Sequence, residues 1–224
     1  MAGPRKDHTH LLLVRHAETA WNAEYRFQGH ADTPLNEAGR ATIPAVIAAL
    51  RPWTPTTIYT SDLVRAREMA EAAGKTLGVP VVADPLLREC SYGAWEGLTL
   101  AEVRQRHPEE LERWLADEGG HARGGGESLH EMQERSWQAL ERIALAYPGE
   151  AVAVVTHSGP VRGAVCRLFG QDMAARYRFM VDNASLTVLR RSPQGRWQLV
   201  LLNQTSHLQR EPAAHSPTAT QPPA

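Results

Sequence analysis

Cysteine is scarce in this chain: Cys90 and Cys166 are the only two among 224 residues. Two thiols in unlike contexts cannot make the disulfide framework of a small secreted domain, so a reducing cytoplasm is the expected compartment. Long apolar runs are missing as well. The opening run, Leu11–Val14, falls far short of the roughly 20 residues of a membrane-spanning helix or the about 7–15 of a signal peptide's apolar stretch. Neither export nor membrane binding is therefore expected. Charge of one sign is not in excess: 24 Lys and Arg against 25 Asp and Glu leave a formal net charge of −1. Without a general positive field the chain has no footprint for nucleic acid or an anionic membrane. Any attraction for an anion must be local. CxxC and HExxH spacings do not occur, which removes the local signatures of a zinc site.

What is present is the material of one globular domain, with 42% hydrophobic and 22% charged residues. A chain of this length can bury a substantial core. The runs His10–Arg15, Thr57–Thr60, Val79–Ala83 and Ala151–Thr156 are short and mostly apolar, the pattern of strands covered on both faces. Helix-length stretches lie between them at Asn36–Leu50, Ser61–Leu77, Ser128–Ala146 and Gly159–Phe169. This alternation predicts an α/β fold, a three-layer α/β/α sandwich around a mostly parallel sheet.

Helix ends carry matching chemistry. Ser61 and Asp62 are candidate caps for the second helix, Gly78 a candidate stop, and Ser128 with Glu131 a capping box. Pro44 falls inside the first helix and predicts a bend there. Residues 99–127 read as a helical insertion over the active-site mouth, with Thr99 and Glu102 capping a short helix, Pro108 starting another and GGHARGGGE forming a flexible loop. Arg178–Asp182, Ser185–Arg191 and Arg196–Leu202 read as closing strands. Residues 1–8 are expected to be flexible and 204–224, rich in Pro, Ala and Thr, to form a disordered tail, leaving 9–203 as the domain.

The chemistry concentrates where strands end. His16 follows the first strand and His157 follows Ala151–Thr156, and in open parallel sheets ligands bind beyond the carboxyl ends of the strands. A third strand end leads through Ser61-Asp62-Leu63-Val64 to Arg65, placing a guanidinium in the first turn of a helix. Arg15 supplies a second. Such forks of donors suit phosphate oxygens, and a helix amino terminus adds partial positive charge.

Taken in order, VRHAETAWN (14–22), QGHADTPLNEAG, YTSDLVRA, LRECSYGAWEG, GGES, VVTHSGPVRG and NASLT resemble the histidine phosphatase superfamily, also called phosphoglycerate mutase-like, over residues 9–203. The resemblance implies that His16 is a phosphorylated nucleophile, that Arg15, Arg65 and His157 bind the transferred phosphoryl group, and that Glu89 is the proton donor. Asn22, Gln28, Gly29 and Ser158 are the further phosphate-binding candidates. To attack, His16 must present an unprotonated ring nitrogen, which neighbouring arginines favour, and its other nitrogen needs a backbone acceptor. Glu96 is a weaker competitor for the acid, and Glu18 is read as structural.

The short stretch from Glu89 to His157 favours a phosphatase over a cofactor-dependent mutase, the alternative on the same site; a non-catalytic phospho-ligand module ranks third. Ala17 stands where glycine is usual in the family, THSG replaces SHGG, and Glu68-Met69 replaces a frequent Gln-Thr, but none of these removes a reacting group. Arg26, Phe27, His30, Arg113, His121 and Arg123 are expected near the pocket mouth, suiting a phosphorylated sugar, glycerate or nucleoside-like ester. The partner is then a small phosphate ester, with no metal or other cofactor required because arginines and histidine supply the charge. Oligomeric state is not readable from the sequence, and a homodimer, common among homologous folds, is the candidate assembly. The remaining histidines read mostly as surface residues, the six tryptophans as core or pocket walls, and Cys90 as a buried inert thiol.

Overall fold

A computed structural model describes residues 7–208. The expected termini, 1–8 and 204–224, lie for the most part outside the described residues. The chain runs β1 (Thr9–Arg15), α1 (Ala20–Ala23), α2 (Glu37–Leu50), β2 (Thr57–Thr60), α3 (Val64–Leu77), β3 (Val81–Ala83), α4 (Leu100–Arg106), α5 (Pro108–Ala116), α6 (Leu129–Ala146), β4 (Ala151–Thr156), α7 (Ser158–Leu168), β5 (Leu186–Arg191) and β6 (Trp197–Gln204). The strands form one six-stranded sheet in the order β3-β2-β4-β1-β5-β6. Pairings from β3 to β1 are parallel, and β5 and β6 close the sheet antiparallel.

Both faces of the sheet are covered, which explains the unbroken apolar runs of β1 and β4. Leu12, Val14, Ala153 and Val155 point to one face and pack with Ile47 and Leu50 of α2 and with Met69 and Ala73 of α3. Leu11, Leu13, Val152 and Val154 point to the other, against Trp137, Leu140 and Ile143 of α6 and Val161 of α7. The layers are those the alternation predicts. No helix among the described residues is long and apolar enough to cross a membrane.

The capping boxes at Thr99/Glu102 and Ser128/Glu131 form as read, and Gly78 ends α3. The start of α3 differs. Neither Ser61 nor Asp62 caps it; Val64 N donates to Asp32 Oδ1 (2.6 Å) from a distant loop. Asp62 instead pairs with Arg88.

Three other expectations are corrected. Arg178–Asp182 is not a strand: Met173–Arg178 coils into 3-10 turns, and both edges of β1 are already occupied by β4 and β5. The carbonyls of Phe179 and Val181 serve arginine side chains instead, Arg162 and Arg15. GGHARGGGE is not loose, since Gly124 and Gly126 stack directly on the backbone of Ser91–Trp95 and Arg123 is buried. Finally, His10 lies within β1 and is buried against Trp53, not at the surface. Trp95, Trp114 and Trp137 are buried as expected, the first two in a cluster with Val103 and Leu111 where the insertion packs beside Phe27 and Tyr92.

Candidate active site

Parallel pairing of β1 with β4 places Arg15 opposite Thr156, so the residues that follow, His16 and His157, leave the sheet side by side. Their ring centroids are 5.1 Å apart. Because β2 lies on the far side of β4, the segment from Ser61 to Arg65 leaves the sheet at the same end. The separated motifs meet through strand register.

A cavity of about 140 Å³ opens there, lined by Arg15, His16, Asn22, Arg26, Phe27, Gln28, Gly29, Arg65, Glu89, Tyr92 and Ser158. Of the residues assigned from sequence, only His157 does not line it directly. It stands behind His16, wholly buried, and both its ring nitrogens lack a hydrogen-bond partner among the described residues.

His16 is held in one tautomer. Nδ1 donates to Ala17 O (2.7 Å), leaving Nε2 as the free ring nitrogen at the cavity. Desolvation, then the charges of Arg65 and Arg15, hold His16 well below its ordinary pKa, and desolvation followed by Arg65 does the same to His157. Both rings are neutral at physiological pH.

The two cations are fixed by backbone carbonyls. Arg15 Nη1 donates to Val181 O (2.7 Å), while Arg65 Nη1 and Nη2 donate to Ala31 O (2.8 Å) and Gly29 O (2.7 Å). Neither guanidinium has a carboxylate within ion-pair distance among the described residues. Desolvation pulls Arg15 down to about 10 and lowers Arg65, an instability that an anion between them relieves.

Asn22 and Gln28 show a shared logic. Asn22 Oδ1 accepts from Thr19 N, Thr19 Oγ1 and Asn183 Nδ2, and Gln28 Oε1 accepts from Thr19 Oγ1 and Thr33 Oγ1. With each carbonyl oxygen engaged, the amide NH2 groups are left to donate into the cavity. Gly29 contributes through its carbonyl to Arg65, not as a direct donor.

Glu89 is buried and lines the same cavity. Its carboxylate accepts from Cys90 N (2.9 Å), Ser158 Oγ (3.1 Å) and Gly159 N (3.1 Å). Its carbonyl accepts from His30 Nε2 (2.9 Å) and Arg135 Nη2 (2.7 Å). Arg135, held in turn by Glu127 at 2.6 Å, spans Leu86, Arg88 and Glu89 like a clamp. Glu96 does not line the cavity; Oε1 accepts from His30 N and Tyr92 N, tying two walls together. Cys90 is inert, its thiol pushed up to about 12 by burial.

Sequence reading missed Tyr92 as a wall and Arg135, Asn183 and the carbonyls of Ala17 and Val181 as supports. Tyr92 and Asn183 sat inside recognised motifs, but carbonyl acceptors leave no side-chain trace. Among the mouth candidates, Arg26 and Phe27 line the cavity, and His30 braces Glu89. Arg113 and His121 are not among the lining residues, and Arg123 is buried behind Tyr92. No cluster of three or more His, Cys, Asp or Glu fit to hold a metal occurs among the described residues.

Known proteins resemble this chain over most of its length. The mycobacterial bifunctional protein Rv2228c, from Mycobacterium tuberculosis, is 35% identical over 207 residues, covering 92% of this chain. The chain spans only 57% of that relative's length. The metal-independent phosphoserine phosphatase of Arabidopsis thaliana is 36% identical over 203 residues, covering 89% of this chain and 83% of the relative. Among solved structures, Bacillus stearothermophilus YhfR superposes with a TM-score of 0.83 at 30% identity, covering 90% of this chain and 100% of that one. The family model described as histidine phosphatase superfamily (branch 1) matches residues 11–205, the span that carries both histidines, both arginines and Glu89, and the chain belongs to that superfamily.

Proposed function

We propose that the protein is a phosphomonoesterase acting on a small phosphorylated metabolite through a phosphohistidine on His16. The observation that carries this reading is the pinned tautomer of His16, whose free Nε2 shares a cavity with two carboxylate-free guanidinium groups and a buried carboxyl. Phosphoryl transfer needs positioning and stabilisation of charge on the equatorial oxygens, and Arg15, Arg65, Asn22 and Gln28 supply donors on several sides.

In the first step Nε2 forms a bond to phosphorus as the ester P–O bond breaks, and Glu89 gives its proton to the departing oxygen. In the second, ionised Glu89 takes a proton from water, the hydroxide forms the new P–O bond, and the P–N bond breaks to return neutral His16 and free phosphate. His157 donates to a phosphoryl oxygen throughout, which satisfies a ring nitrogen that otherwise has no partner.

The phosphatase relative supports hydrolysis over transfer to a second hydroxyl. The test uses a panel of phosphorylated metabolites. His16→Ala is expected to abolish phosphate release, and 3-phosphoglycerate with its bisphosphate primer to lose phosphate faster than it isomerises; unchanged release by the variant, or faster isomerisation, contradicts the reading.

A further inference from the structure

Asn183 stands in the turn that leads into β5, and antiparallel pairing of β5 with β1 sets that turn beside the residues that follow β1. The proposed chemistry gives it no part. Its Nδ2 donates to His16 O (3.1 Å), Ala17 O (3.2 Å) and Asn22 Oδ1 (3.2 Å). The orientation of Asn22 is independent of this contact, because Thr19 N, a backbone donor, also points at its Oδ1 (3.1 Å). All three neighbours are therefore acceptors, and only a donor fits among them. An amide NH2 group has two hydrogens, so at least one is shared.

Ala17 O is the acceptor that fixes His16, accepting from Nδ1 at 2.7 Å. The bond from Asn183 occupies its second lone pair and holds the carbonyl in the direction that Nδ1 requires. A neutral imidazole carries its proton on either nitrogen, and the partner of one nitrogen decides the state of the other. Were Ala17 O to turn away, the proton would be free to move to Nε2, and the nitrogen facing the cavity could no longer attack phosphorus. The backbone shows the same demand. Ala184, buried directly after Asn183, has a φ of +59°, which a residue with a Cβ adopts only with strain. Its N donates to Arg15 O (3.1 Å) and His16 O (3.2 Å). Strain of this kind persists where surrounding contacts over-determine it, and here they bring the Asn183 amide onto the backbone of His16 and Ala17.

We propose that Asn183 is a positioning residue for the nucleophile: its amide holds Ala17 O, and Ala17 O in turn keeps the proton on Nδ1 and the lone pair on Nε2 of His16. The inference rests on the phosphatase reading and adds to it a residue that takes no part in bond making. Asn183 is not among the residues that line the cavity, so it acts through His16 and not on the ester. Asn22 keeps its contacts with Thr19 when Asn183 is replaced. Phosphate binding is thus the property that stays, and attack is the one that is lost.

Asn183→Leu, close in shape but without a donor, and Asn183→Ala provide the test. Nitrogen-proton correlation spectra of the unaltered protein are expected to show the His16 proton on Nδ1, with a larger share on Nε2 in both variants. Across the panel of esters kcat is expected to fall at least about tenfold, since a misplacement of about 1 Å costs on the order of a hundredfold. The Kd of inorganic phosphate, from calorimetry, is expected to change by less than about threefold, whereas a damaged pocket loses affinity and turnover together. Asn183 is half-buried, so Asn183→Ala admits water and keeps the test available where Asn183→Leu fails to fold. An unmoved tautomer or an unmoved kcat in the folded variants, or phosphate affinity that falls in step with kcat, overturns the positioning role. A tautomer that shifts in the variants of a protein that hydrolyses none of the esters contradicts the phosphatase reading and leaves the role of Asn183 standing.

Discussion

At the scale of single residues, the site works by leaving chosen atoms unsatisfied. Carbonyl oxygens absorb His16 Nδ1 and one face of each guanidinium, so that His16 Nε2 and the remaining arginine nitrogens stay available. His16→Ala is expected to cut kcat by at least about a thousandfold, since no other group supplies the nucleophile. Gly159 is a subtler control on Glu89: a Cβ there would lie 2.0 Å from Glu89 Oε1. Gly159→Ala therefore displaces the carboxyl, and because a misplacement of about 1 Å costs on the order of a hundredfold, kcat is expected to fall by that order while the protein stays folded. Steady-state kinetics with a melting curve separates the two effects.

Protonation follows from the same burial. His16 and His157 are held well below their ordinary value of 6.5, so the unfolded chain takes up protons before the folded one does. Their contribution to stability is complete above pH 6.5 and is lost progressively as pH falls from there towards the folded values. A melting temperature that drops between pH 7 and pH 5, with a smaller drop in His157→Asn, is the expected outcome; a flat profile contradicts it. Ring-proton resonances of the two histidines are expected not to titrate near 6.5.

At the scale of elements, the start of α2 packs against the loop that follows β1 and the nucleophile candidate. Asn36 caps α2 through Gly39 N and also donates to Glu18, while Gly39 lies so close to Glu18 that a Cβ would meet its carbonyl oxygen at 2.2 Å. Helix propensity favours alanine over glycine by about 1 kcal/mol, yet an overlap with backbone cannot be relieved by a rotamer change, so Gly39→Ala is expected to destabilise. Pro44 is the converse case. It is exposed inside α2 and cannot donate to Arg40 O; Pro44→Ala restores that bond and is expected to raise stability by roughly 1–3 kcal/mol in denaturant titration.

These elements were legible where local chemistry determines them. The apolar runs of β1 and β4 and the boxes at Thr99 and Ser128 carry their own signals. The start of α3 did not, because its cap is Asp32, 32 residues away. Arg178–Asp182 has strand-like composition, but pairing is a property of the sheet, and β1 had no free edge to offer. In the site, the histidines and Arg15 and Arg65 were visible as residues at strand ends, and Glu89 only through the resemblance of LRECSYGAWEG. Arg135 was not, since it reaches Glu89 from the middle of α6 and acts through backbone carbonyls.

At the scale of the whole molecule, a formal net charge of −1 coexists with a cavity lined by Arg15, Arg26, Arg65 and His16, with the buried His157 beside it. On the proposed reading, selectivity for an anion comes from fixed donors at one end of the sheet, with little long-range steering. Since these groups supply the charge compensation that a divalent ion provides in other phosphatases, hydrolysis is expected to be undiminished by a chelator; a strict magnesium requirement contradicts the assignment.

The stereochemistry at phosphorus addresses the nucleophile most directly, because it does not depend on trapping a short-lived intermediate. With a phosphorothioate ester made chiral at phosphorus by one heavy oxygen isotope and hydrolysed in water carrying another, two successive in-line displacements, His16 first and water second, give thiophosphate with retained configuration. Retention is the expected result. Inversion means a single direct attack by water, and His16 is then not the nucleophile.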